Sequence, residues 1–189
     1  MVSENDKRQL RSRMARVLRS KACFAIRFRL DNVGIQTYMY SYIADAIVDN
    51  RVHVEIGDGH HYDYHPNTIT FDSLDVEPAT IVHEATHAVI DATHSGKNIT
   101  NGAHEASAYL AEALYDMNVD DDINVDIPHL ARPLYLLARQ VKAFNASHAS
   151  GLFVCPQSDT LYIKAILNGA RGANDVNRVD RMDGIGDGG

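Results

Sequence analysis

Five consecutive residues, His83-Glu84-Ala85-Thr86-His87, carry the clearest chemistry in this chain. On an α-helix each residue turns by about 100°, so His87 stands about 40° round from His83 and one turn along. Both imidazoles can therefore reach one ion. Neutral imidazole is a good zinc ligand, and a catalytic zinc site uses three protein ligands with a position left for water. Glu84 sits beside the pair, where its carboxylate can take a proton from that water without binding the metal. Ala85, Ala88, Val89 and Ala92 fall on the opposite side. The pattern predicts a helix divided into a chemical face and a buried face.

The third ligand has to come from elsewhere. His94 points the same way but lies about 10 Å farther along a straight helix, too far for an ion whose ligand atoms sit about 2 Å away. Ile90 and Thr93 stand where a bend back to a third histidine would need Gly and His. A break at Ser95-Gly96 lets the chain reverse into a second helix from about Asn101 to Met117. Glu105, Tyr109 and Glu112 share its polar side, and Ala106, Leu110, Ala113, Leu114 and Met117 its buried side. Glu105 is the first candidate for third ligand, and Glu112 is the alternative.

These two helices need a scaffold, and the rest of the chain supplies one of α+β type. Of 189 residues, 45% are hydrophobic and 23% charged, enough for one core and too short for two comfortable domains. Residues 1–170 are expected to form a single catalytic domain. Ser3 and Asp6 cap a helix over residues 3–20, and Phe24, Ile26, Phe28 and Leu30 alternate as a possible strand. A further helix is expected from Ile35 to about Asp49. Val52–Ile56, Tyr62 with Tyr64, and Thr68–Phe71 read as a small antiparallel meander of three strands. Pro78 opens the metal helix. The acidic run Asp120–Asp122 reads as a loop, and packing helices follow over Arg132–Ala146 and Ser158–Leu167. Residues 171–189, polar and glycine-rich at the end, read as a flexible tail without chemistry.

The net charge of -7 is unevenly spread. Residues 1–30 hold nine Lys or Arg against Glu4 and Asp6, leaving nine basic and 23 acidic residues for the remainder. An acidic body disfavours a general nucleic-acid role, and the basic arm leaves room for a local one on a docking partner or an anionic surface. No apolar stretch suits a membrane span, and no hydrophobic leader follows Met1, so a cytoplasmic location is expected. Cys23 and Cys155 do not make a disulfide framework.

His83-Glu84-Ala85-Thr86-His87-Ala88-Val89-Ile90-Asp91 resembles the active-site helix of the thermolysin-type zinc peptidases, the gluzincins, in a minimal size. Glu105 is similar in spacing to their glutamate helix, and the likeness covers about Leu74–Met117. The resemblance implies a zincin-like fold and one Zn²⁺ held by His83, His87 and Glu105, with Glu84 as general base. It also implies hydrolysis of peptide or protein substrates, by an endopeptidase rather than an exopeptidase. The family's glutamate is usually preceded by Asn and followed four residues on by Asp, which orient the histidines; here those places hold His104 and Tyr109. Asp91 is the candidate to orient a ligand instead. In such peptidases an edge strand pairs with the extended substrate, which makes Thr68, Ile69, Thr70 and Phe71, or else Val52–Ile56, the candidate substrate rail.

Other residues keep secondary readings. Tyr109, His104, Tyr62 and Tyr135 are candidate donors to the oxyanion. His60, His61 and His65 sit on a turn-rich hairpin with Asp58 and Asp63, and read as loop histidines before a second metal site. Cys23 could cap the metal in a latent form. The alternative to a peptidase is a zinc-stabilised module that binds a protein partner or nucleic acid through its basic helix. Salt-sensitive binding by residues 1–30 would favour that reading, and so would a closed four-ligand site with His94 or His104 as the fourth ligand.

Overall fold

The computed structural model describes residues 3–120, 132–171, 178–182 and 184–185. Its architecture is α+β, with seven helices and three small sheets among the described residues. Helix α1 (Glu4–Leu18) begins as the sequence predicts, with Ser3 and Asp6 forming a reciprocal capping box. Leu10, Met14, Ala15 and Leu18 are buried against the rest of the fold. Several basic side chains of this arm find partners elsewhere in the molecule while staying at its surface. Arg11 donates to Asn50 at 3.0 Å and Arg13 to the Leu74 carbonyl at 2.9 Å. Lys7 pairs with Glu55, and Arg19 with Asp45.

The alternating stretch after the arm folds differently from a continuous strand. Ser20 caps a short helix α2 (Lys21–Phe24), accepting from the Cys23 amide. The turn buries Cys23 and Ile26 and leaves Phe24 exposed. Strand β1 (Phe28–Leu30) then pairs antiparallel with β2 (Val33–Ile35) through a turn in which Asp31 has φ 55°. Because Ile35 is paired with Phe28, helix α3 starts only later (Met39–Val48).

Strands β3 (His53–Ile56), β4 (His61–Asp63) and β5 (Thr68–Phe71) form a sheet in the order β3-β5-β4. It is not the expected antiparallel meander: β3 runs parallel to β5, and only β4 is antiparallel to it. The reason lies in β5, whose four residues are all buried. A strand buried on both faces takes the centre of a sheet, and its more exposed neighbours take the edges.

Helix α4 (Pro78–Thr93) begins with Pro78 in its first turn after Glu77. Every residue from Ile81 to Asp91 is buried, the chemical face as well as the apolar one. Gly96, at φ 77°, then turns the chain into strand β6 (Asn98–Thr100), which sequence periodicity does not reveal. Thr100 caps helix α5 (Asn101–Val119) by accepting from the Ala103 amide. Helices α4 and α5 pack side by side at the centre of the fold, flanked by α1, α3, α6 (Arg132–Ser147) and α7 (Gln157–Arg171). Each fully buried Leu, Ile or Val in this core contributes about 1.5–3 kcal/mol.

The expected acidic loop lies outside the described residues from position 121 onward. The segment expected as a featureless tail does have structure. Strand β7 (Val179–Arg181) pairs antiparallel with β6, and Met182 and Ile185 are buried. Two well-spaced apolar side chains anchor this polar segment, too few to register as periodicity.

Candidate metal centre

His83 and His87 project from one side of α4, and Glu105 meets them from the second turn of α5. The ligand-type atoms of these three residues all lie within 4.8 Å of one another. His83 Nε2 is 3.7 Å from Glu105 Oε2, and His87 Nε2 is 3.9 Å from Glu105 Oε1. Ligand atoms about 2 Å from one ion in tetrahedral geometry lie roughly 3.3 Å apart, so a small closure brings the carboxylate into place. The donor set fits a divalent metal: two imidazole nitrogens and one carboxylate, all nearly buried. Among the described residues no fourth ligand joins this group.

The surrounding charge points the same way. Burial pushes the His83 imidazole down, but its bonds to Glu105 and Glu112, with the charge of Glu84 nearby, outweigh that and raise it to about 9. Three carboxylates thus favour positive charge at this spot. Glu84 is only 4% exposed, on the turn that also carries both histidines.

Glu112, the alternative third ligand, has a different place. Its Oε2 lies 2.8 Å from His83 Nδ1, the nitrogen facing away from Glu105. A carboxylate there can hold a proton on Nδ1, which would leave Nε2 to a metal ion. His104, considered as an oxyanion donor or fourth ligand, is fully buried behind His87. Its Nδ1 is 3.4 Å from His87 Nδ1, with the two rings stacked at 16°. Burial is the main cause that pushes the His104 imidazole down to about 4.

Asp91 accepts from the Tyr62 hydroxyl at 3.0 Å and from the Gly184 amide at 3.0 Å. The Asn67 amide stands 2.8 Å from the same hydroxyl. Asp91 thereby ties β4 and the C-terminal segment to the metal helix. Tyr109 packs edge-on against the His83 ring, centroids 4.5 Å apart. Burial, followed by the charges of Asp116 and Glu112, raises the Tyr135 phenol.

Several sequence expectations fall away. Thr68, Ile69, Thr70 and Phe71 cannot be a substrate rail, because β5 is the central strand and both its edges are already paired. Cys23 is in the core, its thiol pushed up to about 12 by burial, and it is not among the metal-ligating group. Cys23 and Cys155 are both free thiols. His94 Nε2 accepts from the Gly34 amide at 3.4 Å, away from the ligand group. His60 and His61 lie near Asp72 and Asp63, at 3.7 and 3.3 Å, without assembling a second ligand group among the described residues.

Sequence reasoning did not find the partners of the two ligand histidines. The signal for Glu112 was present, since it shares a helix face with Glu105. Nothing local marks Tyr64 or Met182, which come from distant parts of the chain and reach the buried His104 ring beside His87, at 3.4 and 3.1 Å. No helix among the described residues is long and apolar enough to cross a membrane. No family model, no curated protein and no solved structure matches the chain.

Proposed function

We propose that this chain is a zinc-dependent peptidase of zincin-like, gluzincin type, acting on peptide bonds within extended substrates. The observation that carries the reading is the convergence of His83, His87 and Glu105 with the buried carboxylate of Glu84 on the same helix turn. A three-ligand site leaves a position open for water and substrate, whereas a purely structural zinc site is closed by four. The same three donors also suit iron. A carboxylate held beside the ligands favours hydrolysis, which needs a base at hand.

His83, His87 and Glu105 would hold the zinc, which would supply Lewis acidity toward a carbonyl oxygen and water. Glu84 takes the proton as the water oxygen bonds to the carbonyl carbon. It returns that proton to the amide nitrogen as the C–N bond breaks, so its own charge is restored after each turnover. Glu112 keeps His83 in the tautomer that ligates. Tyr109, edge-on against the His83 ring, is the candidate donor to the oxygen that becomes negative, with Tyr135 as the alternative. The substrate lies along the free edge of β4, the edge strand that packs against α4, in place of the central β5.

The deciding experiment measures bound zinc and peptide hydrolysis for the wild type and for Glu84→Gln. The reading expects one zinc per chain in both, with hydrolysis lowered by about 10²–10⁴-fold in the variant. Full zinc in both proteins with no cleavage across a broad peptide library overturns it.

A further inference from the structure

The two histidine ligands are backed by different groups, and the second of those groups leads out of the active-site helices altogether. His83 has a carboxylate behind it. His87 has another imidazole, and a ligating histidine whose Nε2 faces the metal carries its proton on Nδ1, which then needs an acceptor. His104 Nδ1 is that acceptor, at 3.4 Å. The Tyr64 hydroxyl approaches the same His104 nitrogen, also at 3.4 Å. A donor from His87 requires a lone pair on His104 Nδ1, which puts the His104 proton on Nε2 and lets the Tyr64 hydroxyl donate to the same lone pair. Nε2 in turn lies 3.1 Å from Met182 Sδ. His104 is fully buried, and a misplaced proton on Nδ1 would turn the contact with His87 Nδ1–H into a donor–donor clash.

Met182 is held in place by a docked segment. Its amide donates to the Lys97 carbonyl at 3.1 Å, and its carbonyl accepts from Gly96 at 2.8 Å. The Asn101 amide donates to the Arg178 carbonyl at 2.8 Å. Gly184 closes the segment onto Asp91 of the metal helix. Gly184 has φ 86°, and a Cβ there would meet Ser95 Oγ at 3.0 Å, so this close seat depends on glycine.

We propose that the C-terminal segment completes the metal centre: Met182 accepts from His104 Nε2–H, which fixes the tautomer whose Nδ1 orients His87 toward the metal. His104 and Met182 are thus positioning residues, and the proposal rests on His83, His87 and Glu105 forming a metal site. Their alignment makes metal affinity depend on a side chain 95 residues from the ligand it serves.

The test uses the full chain and reads metal binding, not turnover. Zinc affinity is measured by chelator competition, and the visible absorption of the cobalt-loaded protein reports ligand geometry. His104→Phe should weaken zinc by about 10–100-fold and alter the cobalt spectrum. His104→Asn, whose amide oxygen replaces the Nδ1 lone pair, should restore most of both. Met182→Leu keeps size and apolar character but removes the acceptor, and should also lower affinity, while Met182→Gln should recover it. Melting in the presence of chelator shows that each variant is folded. If His104→Asn is as weak as His104→Phe, or if folded Met182→Leu matches the wild type in affinity and spectrum, the proposal is overturned. A wild type that binds zinc but cleaves no peptide sinks the peptidase reading and leaves this one standing. A wild type that binds no metal sinks both.

Discussion

Glu112 Oε2 stands 2.8 Å from His83 Nδ1, two turns along α5 from the glutamate that faces the other nitrogen of the same ring. One helix therefore supplies both a candidate ligand and a carboxylate bonded to another candidate ligand. Glu112→Gln keeps the shape and removes the charge, and should weaken zinc by about tenfold or more without abolishing binding. Chelator competition measures it. An unchanged affinity would mean that this bond does not support the metal.

Glu105→Ala should be far more damaging to metal binding than Glu112→Ala, because it removes a ligand rather than a supporting group. The ratio of the two zinc affinities is the readout. If Glu112→Ala proves the worse variant, their roles are reversed.

Asp116 offers a pH-dependent stability test away from the ligands. Burial first, and then the charges of Glu112 and Glu77, raise its carboxyl to about 6 from the usual 3.8. A carboxyl raised in the folded state favours folding while it is protonated. That contribution fades as pH rises from about 3.8 to about 6, above which the ionised group is a full burden. Asp116→Asn should therefore raise the melting temperature above pH 6 and have little effect near pH 4. Equal effects at both pH values would refute this.

The basic arm should behave as core rather than as a detachable tether. Met14 is fully buried, and Met14→Ala should cost about 2–5 kcal/mol in denaturant unfolding. Removing one exposed pair, such as Arg19 with Asp45, should cost under about 1 kcal/mol. A chain that stays folded after loss of residues 1–30 would contradict this.

Local pattern made the centre of the molecule legible. The Ser3–Asp6 cap, Pro78 at the head of α4 and the Thr100–Asn101 start of α5 act within a turn or two, so they can be read without knowing the fold. The His-Glu-x-x-His spacing and a glutamate on the next helix likewise followed from helical geometry. Sheet order did not, because whether β5 is central or at an edge depends on what covers it, and β3 and β5 pair across an intervening strand. The partners of the histidines were hidden for a related reason. Tyr64 and Met182 reach His104 across long sequence separations, and each looks ordinary where it stands. Arg11, Arg13 and Arg19 suggested an interaction surface by composition, yet folding directs them to Asn50, Leu74 and Asp45.

The encasement of α4 from Ile81 to Asp91 has a kinetic consequence. With His83, His87 and Glu105 each less than a tenth exposed, an ion bound there would be gripped by three packed donors. Unaided loss would require all three to move away together, which needs a local opening of the helix pair, so its rate would follow that opening. A chelator small enough to enter by the coordination position left for water would bypass this step, and a bulky one would have to wait for it.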